Sequence, residues 1–117
     1  MRAQATLPID PIALFAEDGS EAPERAAQFL KSFAHRDRLK ILCCLVEQEL
    51  SVAEIESHVG TSQSALSQHL GRLKDEGILS SRRDGRQIIY RISDPTALSL
   101  ISVLYRRFCE GKVDRQR

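Results

Sequence analysis

Gly60-Thr61-Ser62-Gln63-Ser64-Ala65-Leu66-Ser67-Gln68-His69-Leu70-Gly71-Arg72-Leu73 is the stretch on which the reading of the fold turns. Its apolar residues Ala65, Leu66, Leu70 and Leu73 share one side of a helix with 3.6 residues per turn. The other side holds Thr61, Ser62, Gln63, Ser64, Ser67, Gln68 and His69, short polar groups almost without charge. A solvated helix face ordinarily carries more Lys and Glu. Uncharged donors and acceptors suit hydrogen bonds to base edges and phosphates. Thr61 or Ser62 can cap the helix, which runs to about Glu76 before Gly77 closes it.

Upstream, Ser51 can cap a short helix from Val52 to Val59, with Ile55 and Val59 inward and Gly60 as its stop. Downstream, the β-rich runs Ile78–Arg83 and Arg86–Ile92 flank Asp84-Gly85, a strong hairpin signal. Two helices joined by a tight glycine turn and followed by a hairpin describe a winged helix-turn-helix. The hairpin carries Arg82, Arg83, Arg86 and Arg91 against one acid, Asp84. Such charge can guard an edge strand from aggregation. Its single sign favours a wing that reaches phosphates or the minor groove.

Further out, helical spacing extends from Ala22 to Ser32 (Ala26, Ala27, Phe29, Leu30) and from Asp37 to Glu47 (Leu39, Leu42, Leu45, Val46). Asp94-Pro95 starts a last helix, Asp as cap and Pro in the first turn. Its apolar face is Leu98, Ile101, Leu104, Tyr105, Phe108 and Cys109, and Gly111 ends it. The expected fold is mainly α with a β-hairpin wing: five helices and a two-stranded hairpin. Residues 21–112 would form the DNA-binding and dimerisation domain, after an acidic arm (1–20) and before a short tail (113–117).

Composition agrees with a single globular domain of 117 residues. Lys plus Arg is 17 and Asp plus Glu 16, so the net charge is only +1. That balance conceals a division. Residues 1–24 hold Arg2 against Asp10, Glu17, Asp18, Glu21 and Glu24, and the basic excess lies entirely in the remainder. No apolar run approaches a membrane span and no signal pattern opens the chain, so a cytoplasmic location without membrane association is expected. No Cys-x-x-Cys, Gly-rich phosphate loop or paired-carboxylate constellation marks an enzyme or a bound cofactor.

Phe33-Ala34-His35-Arg36-Asp37-Arg38-Leu39-Lys40-Ile41-Leu42, Glu49-Leu50-Ser51-Val52-Ala53-Glu54-Ile55, Ser62-Gln63-Ser64-Ala65-Leu66-Ser67-Gln68-His69-Leu70 and Leu73-Lys74-Asp75-Glu76-Gly77-Ile78-Leu79 together resemble the ArsR/SmtB family of bacterial repressors. The resemblance covers about residues 23–110. It implies a homodimer built on the first and last helices, which binds inverted-repeat operator DNA and is released by a chemical signal. The apolar faces of those two helices agree, since a chain this short cannot easily cover both.

The family's arsenic- or cadmium-type Cys-x-Cys falls where this chain has Ser51 and Ala53, and its zinc-type site needs a His on the last helix, where residues 95–117 have none. No metal set is expected from His35, His58 and His69, which read as a helix start, a surface residue and part of the polar face.

Three cysteines remain. Cys43 stands at i+4 from Leu39, at the edge of an apolar stripe. Cys44 neighbours Lys40, Glu47 and Gln48. Cys109 stands at i+4 from Tyr105 on the packing side of the last helix, so Cys43 and Cys109 can meet where the two helices cross. Free cysteines often merely pack. The pair Cys43 and Cys109, however, resembles the persulfide- and redox-responsive BigR/SqrR-type branch of the family. That resemblance implies a disulfide or short polysulfide bridge formed by reactive sulfur species or oxidants, with loss of DNA affinity. The alternative is a thiolate metal sensor using Cys43, Cys44 and Cys109.

Overall fold

In the computed structural model the described residues are Ala13 and 21–110. The expectations for the acidic arm, for Gly111 and for the tail lie otherwise outside them. The chain divides into two units, residues 1–32 and 33–117.

In the first unit, α1 spans Ala22–Lys31, with Pro23 in its first turn and Lys31 in its last. None of its residues is buried, and Leu30 is 53% exposed.

The second unit opens with α2 (Arg36–Cys44), followed by β1 (Leu50–Ser51), α3 (Val52–Val59) and α4 (Gln63–Asp75). Then come β2 (Leu79–Asp84), β3 (Gln87–Ile92) and α5 (Pro95–Tyr105), which runs on into a π-helical segment, Arg106–Glu110.

Helix starts follow local chemistry. His35 caps α2 by accepting the Asp37 N–H on Nδ1 at 3.1 Å. Ser51 and Glu54 form a reciprocal capping box on α3. Ser62 Oγ accepts the Ala65 N–H, and Asp94 accepts those of Thr96 and Ala97. Gly60, at φ 77°, turns the chain between α3 and α4 in a left-handed conformation that costs glycine little.

Among the described residues the five expected helices and the wing are present, but the sheet has three strands rather than two. The order is β1-β3-β2, all antiparallel, with Leu50 opposite Tyr90 and Ser51 opposite Ile89. A two-residue strand has no periodicity to read, which is why β1 leaves no mark in the sequence. The hairpin register pairs Asp84 with Gln87, leaving Gly85-Arg86 as a two-residue loop. Gly85 has φ +64° and Arg86 does not have positive φ, the pattern of a II′ turn. The second helix ends three residues short of the expected Glu47, and the α-helical register expected beyond Tyr105 gives way to a wider π turn.

The core of this unit is Phe33, Ile41, Leu42, Leu45, Leu50, Ile55, Val59, Leu66, Leu70, Leu73, Ile78, Leu79, Ile92, Ala97 and Ile101. In it α2 packs on α3 and α5, and α4 packs on β2. Burying a Leu side chain contributes about 1.5–3 kcal/mol. Leu66, Leu70 and Leu73 therefore fix the rotation of α4 about its axis and leave its polar face outward.

Candidate nucleic-acid interface and thiol pair

Ser62, Gln63, Ser64, Ser67 and Gln68 are exposed on α4, and Thr61 is half-buried just before it. Gln63 shares an open cleft of about 350 Å³ with Arg86 and Gln87 of the wing tip and Ser51–Ala53 at the start of α3. The recognition-type helix and the wing therefore present side chains to one concavity. Gln68 and His69 line a second, larger depression of about 640 Å³ with Arg38, Gly71, Arg72, Asp75 and Glu76. Arg38 and Arg72 add cations beside Gln68 that no sequence motif singles out.

Two expected DNA contacts are engaged elsewhere. His69 is half-buried, its ring 4.6 Å from that of His35. Burial, then the charges of His35 and Arg38, pull the His69 pKa below its usual value, with Asp37 acting the other way. Arg82 Nη2 donates to Glu49 Oε1 at 2.6 Å, and its Nη1 lies 3.9 Å from Asp84. This pairing raises the Arg82 pKa and lowers that of Glu49. Arg83, Arg86 and Arg91 are exposed.

The three histidines do not gather at one place. His58 is exposed, as expected, but His35 and His69 converge with Asp37, each offering a ligand atom within 4.8 Å of the others. Residues 34 positions apart carry no local signal of such a meeting.

All three cysteines are free thiols of intermediate burial. α2, which bears Cys43, packs on α5, and the Cys43 pKa is raised first by burial and then by Cys109. Cys44 turns differently. Its Sγ donates to the Ile41 carbonyl at 3.1 Å, and burial followed by Cys43 pushes its pKa up to about 11, against a lowering backbone hydrogen bond. Cys109 sits on the π segment beside Phe108, which is 58% exposed with the Arg107 guanidinium 5.0 Å from its ring centre. No described helix is long and apolar enough to cross a membrane.

A glycine-linked helix pair, a core-packed polar-faced helix and an arginine-tipped hairpin define a winged helix-turn-helix of the DNA-binding regulator class. Residues 35–81 match the family model described as bacterial regulatory protein, arsR family. The chain is 42% identical over 93 residues to the biofilm growth-associated repressor of Xylella fastidiosa, covering 80% of this chain and 82% of that one. It is 40% identical over 87 residues to the transcriptional activator HlyU of Vibrio cholerae, covering 74% and 81%. Among solved structures, HlyU from Vibrio cholerae aligns with a TM-score of 0.74 at 37% identity, over 78% of this chain and 99% of that chain. The transcriptional repressor BigR from Xylella fastidiosa aligns at 0.69 and 44%, over 76% and 90%. The chain belongs to the ArsR family of bacterial transcriptional regulators.

Proposed function

We propose that this protein is a dimeric transcriptional repressor that binds inverted-repeat operator DNA and is released when Cys43 and Cys109 become linked through sulfur. The carrying observation is geometric: α2, which bears Cys43, packs on α5, whose π-helical continuation bears Cys109. Thr61, Ser62, Gln63, Ser64, Ser67 and Gln68 would face the major groove, and Arg83 and Arg86 would reach phosphates. Arg82 joins them only by leaving Glu49. His69 contributes to readout only by turning from His35. The repressor sense follows the Xylella relative, a repressor by name, and the HlyU relative makes activation the other direction for the same switch. Leu30 on α1, and Leu98, Val103 and Phe108 on the last helix, keep apolar surface exposed, which suits dimerisation through those two helices.

The chemistry balances with reagents of two classes. One thiol attacks a molecule of hydrogen disulfide, gives a persulfide and expels hydrogen sulfide. The second thiol then attacks the inner sulfur of that persulfide, closing a disulfide and expelling a second hydrogen sulfide. If both thiols first become persulfides, their condensation with loss of one hydrogen sulfide leaves a trisulfide. With a peroxide, one thiol becomes a sulfenic acid, and each of the two steps releases one water. Joining α2 to the end of the last helix would shift the dimer contacts and the spacing of the two recognition helices.

A soft metal held by Cys43, Cys44 and Cys109 is the second reading. The hydrogen bond from Cys44 to Ile41 and its raised pKa make Cys44 a poor thiolate donor. Mass spectrometry after separate exposure to polysulfide, peroxide and a disulfide, with operator binding followed in parallel, tests the proposal. A Cys43–Cys109 bridge together with lost binding is the expected result. A Cys109→Ser chain that still responds overturns it.

A further inference from the structure

We propose that His35, Asp37 and His69 form a binding site for a divalent transition-metal ion of borderline character, for which Zn(II) is the natural probe. One ligand atom from each residue lies within 4.8 Å of the other two. The residues come from separate segments, the start of α2 and the middle of α4, so their convergence is a product of the tertiary fold. The imidazole rings are tilted by 58°, so they do not stack flat and their nitrogens can aim at a common point. Two imidazole nitrogens and one carboxylate oxygen are a donor set for zinc sites that leave a coordination position open. Bonds of about 2.0–2.1 Å require the ligand atoms to draw together by roughly 1.5 Å at most. None of the three cysteines takes part, so this site is separate from the thiol chemistry proposed above.

His35 dictates what loading costs. Its Nδ1 accepts the Asp37 N–H at 3.1 Å, which places the proton of the neutral ring on Nε2. A metal on Nδ1 displaces that hydrogen bond directly. A metal on Nε2 sends the proton to Nδ1, where it opposes the Asp37 N–H and ends the bond as well. Occupation therefore exchanges the α2 cap for a metal bond that joins the start of α2 to the recognition-type helix. Arg36 Nε, 4.0 Å from Asp37 Oδ1, competes for the same carboxylate, and Arg38 adds a like charge nearby. That competition weakens binding, which should therefore tighten in an Arg36→Ala chain.

The test uses the full chain carrying Cys43→Ser, Cys44→Ser and Cys109→Ser, stripped with chelator. It is titrated with Zn(II) against a chromophoric indicator while histidine ring signals are followed by NMR. One Zn(II) per protomer is expected, with the ring signals of His35 and His69 shifted and those of His58 unmoved. His69→Gln and Asp37→Asn, each checked for folding by circular dichroism, should weaken binding by about tenfold or more, and His58→Gln should not. No uptake by the cysteine-free chain overturns the site. Uptake that leaves the His35 and His69 signals in place, or that His58→Gln weakens as strongly, overturns it equally. If His69→Gln unfolds, Asp37→Asn and the ring shifts decide.

Discussion

Glu49 Oε1 accepts a 2.6 Å hydrogen bond from Arg82 Nη2, tying the residue before β1 to the first wing strand 33 positions later. Both side chains are about half exposed, at 42% and 56%. The pair thus adds little to stability but holds one of the wing's cations away from any phosphate. Replacing Glu49 by Gln should release Arg82. Operator affinity at low salt is then expected to rise, and the slope of log K against log salt to steepen by up to about 0.9 per additional phosphate engaged. Fluorescence anisotropy across a salt series reads both. An unchanged slope would mean that Arg82 does not reach DNA even when free.

Arg83 and Arg86 are in the opposite situation, exposed with no ion pair among the described residues. Removing both as Arg83→Ala plus Arg86→Ala should weaken binding to all duplexes alike. The salt slope should fall by about 0.9 for each phosphate no longer neutralised. Exchange of Gln63 or Gln68 for Ala should instead act on sequence preference, because base-edge hydrogen bonds discriminate by about 1–3 kcal/mol. Competition with operator variants separates the two effects. A wing double variant with wild-type affinity and slope would remove the wing from the interface.

Ser51 connects the sheet to the helix-turn-helix, since the residue that pairs with Ile89 also caps α3. Ser51→Ala leaves the Glu54 N–H without its side-chain acceptor, a loss of about 1 kcal/mol. For a domain of this size that lowers Tm by about 4–8 °C. Glu54→Ala should lose part of the same energy, and the double variant should cost less than the two single effects together. Additive losses in urea unfolding would show that the two halves of the capping box act independently.

What the sequence can disclose here follows from the range of each interaction. Ser51, Ser62 and Asp94 act within three residues of themselves, so their helix starts are legible. The burial of Leu66, Leu70 and Leu73 follows from period alone. The hairpin is legible because Gly85 alone supplies the positive φ its loop needs. The two-residue β1, the Arg82–Glu49 pair and the His35–His69 contact arise only when distant segments are folded together, and none has a local pattern. The polar residues of α4 are legible as an exposed face. His69 lies on its border, where tertiary packing rather than period decides which way a ring turns.

Cys44 provides a pH test of the thiol assignments. With a pKa pushed up to about 11 by burial and by Cys43, its thiolate fraction at pH 7.5 is on the order of 0.03%, against roughly 3% at the ordinary value of 9.0. Alkylation of Cys44 by iodoacetamide should therefore be very slow near neutrality and accelerate about tenfold per pH unit toward pH 11. The same shift has a consequence for stability. The folded pKa is raised, so the unfolded chain loses its proton first as pH rises. The contribution is complete below the unfolded value, near 9.0, and is lost progressively as pH climbs through about 11. Cys43, raised in the same direction, adds to this alkaline loss. Peptide mass spectrometry after timed alkylation from pH 7 to 11, beside urea unfolding over the same range, measures both effects. A Cys44→Ser chain should lose part of the alkaline dependence and still form the proposed Cys43–Cys109 bridge on exposure to polysulfide. Fast alkylation of Cys44 at pH 7.5 would contradict its burial against Ile41 and return it to the set of reactive thiols.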